Sequence, residues 1–213
     1  GVSPEMMRLY QRLWQRDELT VRTVMMPLAD ASRPLQETLA WITHAGQTTG
    51  FGGARLKLNG VKLFLDGGAS LGTALMREPY PDERCNCGIQ VTPTDSFRQI
   101  AWACARHGWS LGVHVVGGKA IDIALVIFDE IDREIPLRQL RFSLIHAYLW
   151  PEARNIRDAA RMGITVATQC SMQYAFGPLL VQRFGVALMA TATPVRSWLD
   201  GGVVVGGGSD SHV

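Results

Sequence analysis

The chain has 213 residues, 47% of them apolar, enough for one substantial core and short for two. Its formal net charge is +2 with no long run of like charge, which argues against nucleic-acid or anionic-membrane partners. No apolar run approaches a membrane span, and the opening GVSPEMMRLYQRLWQRDEL is amphipathic and charged, unlike a secretory leader, so the expected location is the cytoplasm.

The first residue is not Met, and the expectation is an internal piece of a longer protein. A helical pattern over 3–17 gives way to the β-branched run LTVRTVMMP, which Pro27 is expected to stop. A polar connection with some helix potential, 29–56, leads into GVKLFLDGG, a strand whose aliphatics Val61, Leu63 and Leu65 share one face while Lys62, Phe64 and Asp66 share the other. Residues 67–93 form a long loop rich in Gly, Pro, Asp and Asn, the size of a lid or binding loop. Thr94 or Asp95 is expected to cap a helix carrying Phe97, Ile100, Ala101 and Cys104 at helical spacing, with Gly108 ending it.

Strand WSLGVHVVGG follows, then a helix with Ile121, Leu125, Phe128 and Ile131 on one side. LRFSLIHAYL is strand-like, PEARNIRDAARMG helical with Gly163 just past its end, ITVATQC a strand and MQYAFGPLLVQRFG a helix. A short helix PVRSWLDGG precedes VVVGGGSD. About six β–α units of one kind argue for a parallel sheet covered by helices, an open doubly wound sheet or a (β/α)8 barrel. Neither G-x-G-x-x-G nor G-x-x-x-x-G-K-[ST] occurs. Of the four cysteines, Cys104 and Cys170 are expected in or near the core, and Cys85 and Cys87 in an exposed loop, with no second pair at zinc-finger spacing.

Enzymes on parallel β/α folds place their chemistry at the carboxyl ends of strands. Those ends carry Lys62 and Asp66, then His114, His146, Gln169 and Asp210. A single strand histidine is most often a satisfied core residue, and an Asp after glycines a turn residue. Their joint occurrence on several strands made otherwise of Val, Leu, Ile and Gly supplies the imidazole and carboxylate donors of a catalytic divalent-metal site. Lys62 poses its own problem, because a buried ammonium must be paired, neutralised or modified. An ion pair with Asp66 is one answer. Asp66 lies four residues nearer the strand end, about 13 Å along an ideal strand, so the strand must end or bend for that carboxylate to stay near the site.

VKLFLDGG…TALMREPY, GVHVVGGKAID, RFSLIHA and GGGSDS, in this order, resemble the successive motifs of metal-dependent amidohydrolases, the family 3 branch of the urease-related TIM barrels. The resemblance spans essentially the whole chain. It implies a partial TIM barrel in which 19–26 is the third strand and 202–208 the eighth, the first two strands and a small β domain lying outside residues 1–213. It implies that Lys62, His114, His146 and Asp210 are metal ligands on the fourth, fifth, sixth and eighth strands. By the same token the ions are zinc, one or two in the complete protein, and Lys62 reacts with CO₂ to a bridging carbamate. Asp210 then moves protons while metal-activated water attacks a non-peptide C–N bond, amide or formamide, of a small molecule.

Asp66, Gln169 and His212 are weaker candidates for substrate or supporting contacts, and His44 and His107 read as surface or helix-end residues. Three departures stand out. No H-x-H occurs anywhere, Gly117, Gly118 and Lys119 stand where Gly-Asp-Arg is common, and the loop after Asp66–Gly67 lacks an early Arg. An isolated piece of this kind is expected to bind at most one ion, weakly, to be inactive, and to self-associate through open barrel edges. Two other readings remain: a Schiff-base lyase or aldolase using Lys62, and a metal-free, non-catalytic binding barrel.

Overall fold

A computed structural model describes residues 1–83 and 85–210. Helix α1 (Pro4–Gln15) begins where Ser3 Oγ accepts the Met6 N–H, with Pro4 supplying a pre-set φ at the first position. Strand β1 (Thr23–Met25), helix α2 (Leu35–His44) and strand β2 (Leu56–Leu58) follow, then β3 (Val61–Phe64). After the loop come α3 (Thr94–Arg106), β4 (Leu111–Val115), α4 (Gly118–Asp132), a turn of helix α5 (Leu137–Leu140) and β5 (Ser143–His146). Helix α6 (Ala153–Met162), β6 (Thr165–Thr168), α7 (Cys170–Phe184), α8 (Val186–Met189), α9 (Val195–Asp200) and β7 (Val205–Gly207) complete the order.

β3, β4, β5, β6 and β7 lie side by side in one parallel sheet in chain order, and β1 and β2 form a parallel pair. The two groups join through a single parallel bridge between Leu28 and Lys62, and Val2 at the amino terminus bridges to Pro27. The structure is therefore a stretch of parallel β/α barrel whose staves follow sequence order, as the motif order implies. The expected stop at Pro27 agrees with β1 ending at Met25. Beyond that end the Pro27 carbonyl accepts the Lys62 N–H and the Lys62 carbonyl accepts the Ala29 N–H. Proline has no N–H to give, and the ladder breaks at that point, between the bond from Asn59 N–H to Met25 and the one from Lys62 N–H to Pro27.

Alternation sorts the side chains. Val61, Leu63, Leu111, Val113, Val115 and Leu144 are completely buried beneath the helices. Phe97, Ile100, Ala101 and Cys104 of α3 and Ile121, Leu125, Phe128 and Ile131 of α4 supply the facing layer, as their spacing predicts. Gly108 and Gly163 take left-handed φ just past α3 and α6. Neither Thr94 nor Asp95 caps α3; Pro93 stands at its N-cap and no side chain bonds there. Cys104 is buried and Cys85 exposed as expected, whereas Cys170 is exposed, because it opens α7 instead of closing β6. His44 ends α2 and His107 caps α3, both exposed.

The loop 67–93 is packed down on the barrel end. Ala69, Ala74, Met76 and Tyr80 build a second apolar cluster with Val116, Leu149, Leu180, Phe184, Met189 and Ala192. It closes the space between the β3, β4 and β5 ends and α7. No described helix is long and apolar enough to cross a membrane.

Candidate metal centre

Lys62 is buried, 6% exposed, on the barrel-facing side of β3. Its Nζ sits 4.9 Å from the Phe64 ring centre. No ion pair joins it to Asp66 among the described residues. Burial pushes its ammonium down to about 8, against the opposing pull of Asp210 and Asp66. Lys62 borders a cavity of 570 Å³ that His114, His146 and Asp210 also line. Four of the sequence-derived residues thus meet at one opening.

The histidines reach it by different routes. His114 pairs with Phe64 across β3 and β4, so register alone aims it into the barrel. His146 pairs with Val115, whose side chain lies under the helices. Straight strand geometry would send the His146 ring outward. Instead His146 has φ +80° and Ala147 φ +44°, and this break swings the ring inward, where its centre lies 4.5 Å from that of His114. Positive φ is uncommon for residues other than glycine and is worth maintaining only where the surroundings enforce it.

Each ring is held by an acceptor. His146 Nδ1 lies 2.6 Å from Gln169 Oε1, and the Gln169 amide is oriented by its Nε2 donating to the Ala167 carbonyl at 3.4 Å. Nδ1–H therefore donates, leaving the Nε2 lone pair free. His114 Nε2 lies 3.2 Å from the Gly67 carbonyl, so Nε2–H donates and Nδ1 carries the lone pair. Burial, the neighbouring His146 and Lys62 hold His114 down to about 3; burial and Lys62 also lower His146. Both imidazoles are neutral at pH 7, the state a metal ligand needs.

Asp66 has another task. Strand β3 ends at Phe64, and the chain bends so that the Asp66 carboxylate accepts N–H bonds from Leu75, Val116 and Gly117, each at 2.9 Å. Burial raises it to about 7 against the pull of those amides. One side chain thereby pins the mouth loop and the β4–α4 turn together, and fixes Gly67, whose carbonyl orients His114. Its Oδ1 is 3.8 Å from His114 Nε2, too long for a hydrogen bond. Gly117 completes the joint: a Cβ there would lie 2.0 Å from the Leu75 carbonyl oxygen, so only glycine admits this approach.

Sequence reasoning missed the Arg77 network. Arg77 bonds both Asp122 oxygens at 2.7 and 2.9 Å, the Trp150 carbonyl at 2.7 Å and Asn155 Oδ1 at 3.1 Å. Asn155 also caps α6 through Glu152. Loop, α4 and α6 are thereby tied below the cavity rim. An Arg in MREPY and an Asp in KAID were the available signals, but nothing in their spacing pairs them.

Asp210, exposed with φ +54°, stands at the cavity edge; His212 lies outside the described residues. Two neutral imidazoles with lone pairs free and an adjacent buried lysine suit a divalent ion's donor set. Among the described residues, no three His, Cys, Asp or Glu side chains are grouped so as to hold a metal. A third donor must come from Lys62 in anionic form or from elsewhere.

The model of the amidohydrolase family matches residues 2–213. The putative amidohydrolase YtcJ of Bacillus subtilis is 28% identical over 161 residues, 76% of this chain and 30% of its own length. The structure of an uncharacterised metal-dependent hydrolase from Pyrococcus furiosus superposes with a TM-score of 0.82 at 23% identity, over all of this chain and 42% of that one. Atrazine chlorohydrolase TrzN from Arthrobacter aurescens, complexed with zinc, superposes with a TM-score of 0.50 at 16% identity over 92% of this chain and 40% of that one. The chain spans less than half the length of each of these relatives. With its motif order, parallel staves and strand-end histidines in agreement with the match along its length, the chain belongs to the amidohydrolase family.

Proposed function

We propose that this chain carries the histidine half of a metal-dependent hydrolase centre, which in the complete protein cleaves a non-peptide C–N bond of amide or formamide type. The observation carrying this reading is the pair of neutral, acceptor-oriented imidazoles 4.5 Å apart beside buried Lys62. His114 Nδ1 and His146 Nε2 would hold a zinc-type ion. Such an ion lowers the pKa of bound water and polarises the substrate carbonyl.

Lys62, with its ammonium pushed down to about 8, has an accessible neutral amine near neutral pH. That amine adds to CO₂, its lone pair forming the N–C bond and its proton passing to solvent, and the carbamate becomes the anionic third donor. Asp210, at the open rim, accepts the proton of the attacking water and returns it to the leaving nitrogen. Gln169 and Gly67 hold the ligand tautomers. The isolated chain binds one ion at most and has no appreciable hydrolytic activity.

Titration of metal-stripped protein with zinc tests this. One weak equivalent, abolished by His114→Ala and barely changed by Asp210→Asn, is expected. Two tight equivalents, or dependence on Asp210 but not His114, overturn the assignment. The depressed Lys62 ammonium also suits a Schiff-base lyase, and borohydride trapping of a carbonyl compound on Lys62 would favour that reading.

A further inference from the structure

Besides Lys62 and the two histidines, which make its polar floor, the 570 Å³ cavity has a wall of different chemistry. Met172, Phe176 and Leu180 recur at four-residue spacing on one face of α7, and all three line the cavity. Tyr148 joins them in lining the cavity. The wall is anchored from behind: Leu180 is 2% exposed, and Phe184 stacks against Tyr80 and Trp150 at 5.3 and 5.1 Å. Phe176, at 41% exposed, is a large apolar side chain left to the cavity mouth. The charged side chain of α7 is Arg183, which turns away from the cavity to Asp82, Glu83 and the Tyr80 ring.

We propose that this α7 wall is the subsite for an uncharged aryl or bulky alkyl group of the substrate. Calling that ligand a substrate rests on the hydrolase reading above. A carboxylate placed against Met172, Phe176 and Leu180 would lose water without gaining a partner. An aromatic ring there removes apolar surface from water on both sides and can meet the Phe176 edge and the Met172 thioether. The polar floor then faces the C–N bond, so the two walls divide the ligand into a reacting end and an apolar end.

The probes are acetanilide, acetamide and N-acetylglycinate, followed by the shift of the Met172 methyl resonance in methionine-labelled protein. Acetanilide is expected to saturate that shift at concentrations about tenfold lower than the other two. Phe176→Ala should erase most of that advantage, and Phe176→Arg should move the preference to N-acetylglycinate. Phe176 is partly exposed, so both variants are expected to fold; an unchanged methyl spectrum away from α7 checks this. Equal affinity for the three probes, or a preference untouched by either substitution in folded protein, overturns the proposal. Running the series with and without zinc separates the two readings. An aryl preference in a protein that takes up no zinc sinks the metal centre and leaves the subsite; zinc uptake without an aryl preference does the reverse.

Discussion

The ends of β4 and β5 differ from the end of β7 in how their functional side chains are held. At the first, His146 is buried, His114 is half-buried, and one nitrogen of each ring already has an oxygen acceptor. Behind them Asp66 fastens three amides and Arg77 ties the loop to two helices. At the second, Asp210 is exposed and follows a run of glycines. Ligands that must be neutral and aimed before a metal arrives need an organised surround. A carboxylate that shuttles protons needs access to water. The difference is what a division of labour between holding an ion and moving protons would require.

The largest expected effect breaks the organised side at its root. Asp66→Ala leaves three buried N–H groups without their acceptor, and should cost about 3–5 kcal/mol of stability by chemical denaturation in dilute protein. Asp66→Asn keeps one carbonyl oxygen and should cost clearly less. Equal losses would mean that the amides find other acceptors.

Acidification probes the same side. His114 is held at about 3 in the fold against its ordinary 6.5, so the unfolded chain takes up the proton first. Its contribution is intact above pH 6.5 and is lost as pH falls toward 3, at about 1.4 kcal/mol per pH unit. Asp66, raised to about 7, has the opposite slope between about 4 and 7, so the test is a difference between proteins. Relative to the parent, His114→Gln should lose about 1.4 kcal/mol per unit of acid sensitivity between pH 6 and 4.5. Parallel pH profiles would show His114 to be freely solvated.

Removing a single acceptor sharpens the comparison. Gln169→Leu frees the His146 tautomer and ring orientation, and should weaken zinc binding about tenfold with little change in stability. Asp210→Asn should change zinc affinity less than about twofold, the smallest effect of the series, because a rim carboxylate adds little to a site held by two imidazoles. A larger loss from Asp210→Asn than from Gln169→Leu would reverse the roles of the two sides.

Much of the barrel was legible in the chain because its signals are local. The 3.6-residue spacing of Ile121, Leu125, Phe128 and Ile131, the alternation around Val61 and Leu63, and glycines past α3 and α6 act within one element. Placing Lys62, His114, His146 and Asp210 at one opening also followed, since staves laid in order bring their carboxyl ends together. What local pattern misjudged were boundaries: Pro93 instead of Thr94 or Asp95 at the cap, and Cys170 opening a helix.

By itself the sequence determined the order of the staves, the core faces and the identity of the strand-end residues, because side-chain period and turn chemistry are set by near neighbours. Only the tertiary structure decided where those side chains point. The inward turn of His146 depends on a positive-φ break that strand alternation contradicts. Asp66 turns to the amides of Leu75, Val116 and Gly117 instead of to Lys62, because those donors arrive from 9 to 51 residues away and have no other acceptor in the packed joint. Arg77 finds Asp122 and Asn155 across 45 and 78 residues for the same reason. A buried polar group takes the partner that folding brings to it, and no spacing along the chain records which one that is.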